Sequence, residues 1–123
     1  MTKNEFYDKW LNVFAANISQ EDREKYIVSY GNYIWHAFSW ELLDKNVYLV
    51  GDAAREAYDR IDKSGAVYLR WFDDEQTAEL SEDLRTAQAL EALHEVYVVS
   101  KDFSWTYIKT HERDLCGPYF MKR

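Results

Sequence analysis

Apolar side chains recur along residues 2–16 with the spacing of one helical face: Phe6, Trp10, Val13 and Phe14 stand at i, i+4, i+7 and i+8. Thr2 and Glu5 have the spacing of a capping box, in which each side chain satisfies a free N–H of the first turn. A second helix is predicted from Ser19 to about Ser29, with Gly31 as its stop. Residues 33–43 (YIWHAFSWELL) are almost continuously apolar, so periodicity does not separate strand from helix. The expectation is an extended segment across Tyr33–Phe38, then a loop at Asp44–Asn46 and a short strand over Val47–Val50.

A helix is predicted over 53–62 with Asp52 as its N-cap, and Ala54, Ala57, Tyr58 and Ile61 give it an apolar face. Ser64-Gly65 signals a turn before a strand at Ala66–Phe72. The following acidic stretch is expected to run into a helix ending near Leu93, buried along Leu80, Leu84, Ala87 and Leu90 and started by Asp74 or Ser81. Two strands, Val96–Ser100 and Phe103–Thr110, should meet at Lys101-Asp102. Phe103, Trp105 and Tyr107 alternate with Ser104 and Thr106, giving one aromatic and one small polar face. The tail, with Gly117-Pro118, is expected to leave the sheet as a structured loop. Together these elements predict one α+β domain over 1–123, with a small mixed or antiparallel sheet, an N-terminal helix pair and a C-terminal hairpin.

Composition sharpens this picture. Hydrophobic residues make up 47% of the chain, and 5 Trp, 10 Tyr and 6 Phe imply an aromatic core with rings left over for the surface. Cys116 is the sole cysteine, so no intramolecular disulfide forms, which fits a reducing compartment. The opening MTKNEFYDKW lacks the basic and apolar regions of a secretory signal, and no stretch approaches the length of a spanning helix; a cytoplasmic location is expected, with no membrane association.

The net charge of −7 resides in residues 73–95. There Asp73, Asp74, Glu75, Glu79, Glu82, Asp83, Glu91 and Glu95 face only Arg85. Such a run is ordinarily a solvated face; its functional reading is a surface for a basic protein partner. The absence of a basic block argues against nucleic-acid binding.

No phosphate-cradling glycine motif or nucleophile elbow occurs. His111-Glu112 fails the zincin pattern, because Leu115 stands where the second histidine is needed. His36, His94, His111, Glu112 and Cys116 are suitable metal ligands but lack ligand spacing, so neither a metal nor a cofactor is expected. Cys116 beside His111 reads more readily as an inert thiol than as a nucleophile. His36, among Trp35, Phe38 and Trp40, reads as a hydrogen-bonded core or boundary histidine, and His94 as a helix-terminal surface residue.

The segment 105–120 is the leading binding candidate, through Trp105, Tyr107, His111, Glu112, Arg113 and Tyr119. No catalytic residue is assigned. A non-catalytic interaction module of inhibitor, immunity or regulatory type is the first expectation. The alternatives are a small enzyme using His111, Glu112 or Cys116, and an aromatic pocket around Trp35, Trp40, Trp105 and Tyr107. Self-association through the aromatic face of the terminal hairpin is compatible with any of these.

The stretches WLNVFA (10–15), WHAFS (35–39), GDAAREAY (51–58) and residues 97–120, with FSWTYIKTHE and GPYF, resemble a group of small bacterial proteins classed as a domain of unknown function. The resemblance implies a bacterial cytosolic protein of one domain and brings no activity, cofactor or catalytic residue.

Overall fold

The computed structural model describes residues 1–123. Helix α1 (Lys3–Phe14) starts in the expected capping box: Glu5 N–H donates to Thr2 Oγ1, and Thr2 N–H donates to Glu5 Oε1. Ser19 caps α2 (Gln20–Tyr26), and a 3-10 turn at Val28–Tyr30 follows. Gly31 ends it with φ of 85°, a left-handed conformation that is costly for other residues; a Cβ there would also meet the Tyr33 ring at 2.8 Å. The predicted extended segment at 33–38 is instead a turn leading into one helical turn, α3 (His36–Ser39). Its near-continuous apolarity reflects burial of most sides of a short helix, not a strand buried on two faces.

Strand β1 (Tyr48–Val50) precedes α4 (Asp52–Arg60), whose N-cap is Gly51 rather than Asp52; Asp52 lies in the first turn and pairs with Arg55. Strand β2 is Val67–Arg70. The long helix expected from the acidic stretch does not form. In its place are a two-residue strand β3 (Ala78–Glu79), a 3-10 turn at Glu82–Leu84 and a short α5 (Ala87–Leu90) capped by Thr86, not by Asp74 or Ser81. Leu80, Ala87 and Leu90 are nevertheless buried as the spacing requires. Strands β4 (Val96–Val99) and β5 (Trp105–Lys109) form the expected hairpin. The tail does not leave the sheet: Tyr119–Lys122 is strand β6, inserted between β1 and β5.

The fold is α+β, with every strand pair antiparallel in the order β1-β6-β5-β4-β2-β3. Helices cover both sheet faces. On one side Phe6, Trp10 and Phe14 of α1 and Ala37 and Phe38 of α3 pack on Tyr97, Val99, Ile108 and Tyr119. On the other, Ala54 and Tyr58 of α4 and Ala87 and Leu90 of α5 pack on Val96, Val98, Trp105, Tyr107 and Phe120. Alternation along β4 therefore feeds two cores, which is why all four of its residues are apolar and buried. Of the predicted aromatic face, Trp105 and Tyr107 are covered by α4, with the Tyr58 and Tyr107 rings stacked at 4.4 Å between centroids, whereas Phe103 lies before β5 and packs in the opposite core against Phe6 and Phe14 of α1. The small polar face of the hairpin is covered too. Thr106 is fully buried, accepts a hydrogen bond from Trp10 Nε1 (3.0 Å) and donates to the Val98 carbonyl (3.0 Å).

Thr106→Val keeps the shape of this site but leaves the Trp10 N–H unpaired in the core. Urea unfolding should show a loss of about 1–3 kcal/mol; an unchanged midpoint would mean that the bond contributes nothing net.

Candidate functional site

The site lies at the sheet end where β2 finishes, β4 begins and β5 finishes. Antiparallel pairing brings these three positions side by side, so Phe72 (after β2), His94 and Glu95 (before β4) and His111 (after β5) become neighbours. The segment from Tyr30 to Trp40 folds over them from the α3 side.

Glu95 anchors the group and is only 2% exposed. Its Oε1 accepts from Trp35 Nε1 (3.1 Å), from the His111 backbone N–H (3.1 Å) and from His111 Nδ1 (2.7 Å). Its Oε2 accepts from the Tyr97 hydroxyl. Burial, and then the Glu95 carboxylate, push the Tyr97 phenol well above its ordinary pKa, so it stays a donor. Four donors and no acceptor face the carboxylate, which meets the requirement for burying an acid. Lys109 holds the approach to Glu95 in place, with Nζ donating to the carbonyls of Leu93 (2.5 Å) and His94 (3.1 Å). Desolvation lowers the pKa of this buried lysine.

Around Glu95 the rings form an unbroken series. Trp40 meets Tyr30 at 5.5 Å between centroids, Tyr30 meets His36 at 6.3 Å, and His36 meets Tyr33 at 5.7 Å. Tyr33 meets Phe72 at 6.0 Å, Phe72 meets His94 at 5.1 Å, and His94 meets His111 at 5.4 Å. Three of these rings are about half exposed: Tyr30 at 54%, Phe72 at 49% and Trp40 at 45%. Exposed carboxylates adjoin these rings along the chain: Glu41 follows Trp40 and pairs with Lys45, Asp73 follows Phe72, and Glu112 follows His111. All three histidines of the chain therefore fall in one ring series, with His36 buried beneath it and His94 exposed, although nothing in their sequence spacing announces it. They do not form a metal cage: no group of three or more His, Cys, Asp or Glu side chains is placed to share an ion.

The binding candidates named from sequence divide between places. His111 and Glu112 belong to this surface, with His111 Nε2 3.5 Å from Glu112 Oε1. Arg113 is exposed in the adjoining 3-10 turn at Arg113–Leu115. Trp105 and Tyr107 are buried under α4 on the opposite sheet face, and Tyr119 is buried against Phe38. Trp35 and Trp40 thus lie across the sheet from Trp105 and Tyr107, and the four do not line one pocket. A polar cleft of about 650 Å³ does reach Trp105, between Ile61–Ser64 and the β4–β5 turn, at the far end of the sheet from Glu95.

His36 is buried as expected, with Nδ1 2.8 Å from the Tyr26 carbonyl. His94 is exposed at the start of the β4 approach. Neither ring nitrogen of His111 is hydrogen-bonded to Cys116, whose thiol is pushed up by burial and by Glu112, opposite to what a nucleophile needs. Sequence reasoning missed Glu95, placing it within a solvated acidic run, and missed Tyr33 and Phe72. One signal was available: Glu95 directly abuts the apolar strand VYVV, where a carboxylate has little access to water.

A family model described as "Domain of unknown function (DUF4275)" matches residues 3–120, and the chain belongs to that family. No curated protein and no solved structure compared with the chain matches it. No helix is long and apolar enough to cross a membrane.

Glu95→Gln replaces an acceptor with an amide whose NH2 confronts donors. It should cost about 3 kcal/mol in denaturant unfolding and alter the emission of Trp35, whereas full stability would show that the network is dispensable. Burial, opposed by the hydrogen bond to Tyr26, holds the His36 imidazole below its ordinary 6.5. The unfolded chain therefore takes up this proton first as pH falls. The stabilisation is complete above about 6.5 and is lost as pH drops through the lower folded value. His36→Gln should flatten stability against pH between neutrality and mild acid, and an unchanged slope would assign that dependence to other groups.

Proposed function

We propose that the protein is a non-catalytic interaction module of the cytoplasm, which receives a basic segment of a protein partner on the ring surface from Trp40 to His111. The observation that carries this reading is the continuity of the rings, three of them half exposed, on a rigid base fixed through Glu95. Contiguous exposed apolar surface is unusual in a protein with no partner for it. Cations favour the faces of Trp, Tyr and Phe, and the adjoining carboxylates add long-range attraction for the same charge. Asp73 and Glu75 of the acidic run lie close in sequence to Phe72, so the run leads towards the patch. The single free cysteine supports the cytoplasmic assignment.

A second reading follows from the carboxylate–imidazole pair. Glu95 Oε1 stands 2.7 Å from His111 Nδ1 and fixes the orientation of the ring, while Nε2 stands 3.5 Å from Glu112 Oε1, so the imidazole is oriented as in general acid–base sites. No concave site lines that nitrogen, and for this reason the interaction reading is the stronger.

Arginine-rich synthetic peptides, titrated against tryptophan emission at two salt concentrations, test the main reading. Binding should weaken with salt and weaken about tenfold or more in Phe72→Ser and Trp40→Ser, since a central aromatic contributes about 2 kcal/mol. Binding indifferent to both substitutions would place recognition elsewhere.

A further inference from the structure

The two edges of the sheet are unlike. The β3 edge is two residues long, sits among the exposed carboxylates Glu75, Glu79, Glu82 and Asp83, and is preceded by residues 75–77 that pair with the chain start through Thr2 and Gln76. Charge and cover of this kind block edge-to-edge pairing. Strand β1 itself has neither, although the Glu41–Lys45 ion pair stands in the groove beside it. The strand residues Tyr48, Leu49 and Val50 carry no charge, Leu49 is 43% and Val50 53% exposed, and no strand lies beyond β1.

The register shows which backbone groups are free. β1 pairs with β6 as Tyr48 with Met121, Leu49 with Phe120 and Val50 with Tyr119. The next pair in register is Gly51 with Pro118, and there Gly51 N–H donates to the Pro118 carbonyl (2.9 Å). Antiparallel bonding alternates, so Leu49 also directs its N–H and C=O towards β6, and Tyr48 and Val50 direct theirs away from the sheet. A groove flanks each side of this edge. One, of about 280 Å³, is lined by Val47, Leu49 and Phe120; the other, of about 300 Å³, by Phe38, Tyr48, Val50 and Tyr119.

The geometry points to β1 as a docking edge for a second copy of this chain, joined antiparallel across a two-fold axis at Leu49. In that register Tyr48 of each copy exchanges both backbone bonds with Val50 of the other, and the two Leu49 side chains meet on the α4 face. The flanking charges are complementary. Lys45 precedes the strand and Asp52 follows it; both are highly exposed, Lys45 is paired with Glu41 and Asp52 with Arg55 in each copy, and antiparallel pairing brings Lys45 of one copy towards Asp52 of the other. The four free backbone groups of the edge satisfy one another, which a two-fold interface requires. This surface adjoins the ring patch at Glu41, which lines the groove beside Tyr48 and Val50, but its backbone pairing does not draw on the rings.

Sedimentation equilibrium of the full chain tests the proposal, together with concentration-dependent amide exchange. The average mass should rise above 14.7 kDa with concentration, and the Tyr48 and Val50 amides should become protected in parallel. Leu49→Lys places like charges on the axis and should raise the dissociation constant about tenfold or more. Val50→Pro removes one outward N–H without touching a bond to β6 and should do the same, guarding against a folding defect in the first variant. A monomer persisting to about 1 mM, the weak end of specific association, would overturn the proposal. So would a dimer insensitive to both substitutions, or protection of other amides alone.

Discussion

A carboxylate removed from water must be met by donors, and at one end of this sheet that need organises three separate parts of the chain. Glu95 stands just before β4, yet its partners come from Trp35 near α3, from Tyr97 two residues on, and from both the backbone and the ring of His111 after β5. Loss of any one leaves a polar group stranded among aromatic rings, so the segment over residues 33–40 and the end of β5 are held in a fixed relation. The exposed surface inherits that rigidity: Tyr33, Phe72, His94 and His111 present a stable arrangement because what lies beneath them is fixed.

The other controlling constraint is the double-sided sheet. With helices on both faces, the central strands are apolar at most positions and most of their buried polar groups have partners, the Tyr107 hydroxyl of β5 being an exception. Thr106 is partnered, joining Trp10 of α1 to the Val98 carbonyl of β4. Lys109 and Lys63 follow the same rule at the periphery. Each is largely buried along its stem and delivers its ammonium to carbonyls at the end of a helical segment, Lys109 after α5 and Lys63 after α4. Buried polar side chains here tie elements together where short helices leave carbonyls without partners.

Recognition and self-association, as proposed, use different parts of this frame. The ring patch belongs to the sheet end built around Glu95, with the acidic run leading up to it. The β1 edge belongs to the side strand, where β6 has returned from the tail and left β1 outermost.

What the sequence by itself determined was local. The capping box of Thr2 and Glu5, the Ser19 cap, the stop at Gly31, the 3.6-residue face of α1 and the alternation of Trp105 and Tyr107 with Thr106 in β5 are set by neighbours a few residues apart, and all appear in the structure. The α+β class followed from them. Where a segment's conformation depends on distant burial, local pattern failed. Residues 33–38 carry apolarity all round because both the sheet and α1 are near, and they form a turn and helix instead of a strand. The acidic stretch carries helix-like spacing, but its leucines are buried from separate short turns. Strand β6 pairs with both β1 and β5, partners distant in sequence that Gly117-Pro118 does not encode locally. The site was still less legible. His111 and Glu112 were named, but Glu95, Tyr33, Phe72 and His94 come together only because antiparallel strands place the end of one beside the beginning of the next. Residue chemistry is written in the sequence, whereas adjacency across tens of residues is decided by strand pairing and by the need to satisfy what the pairing buries.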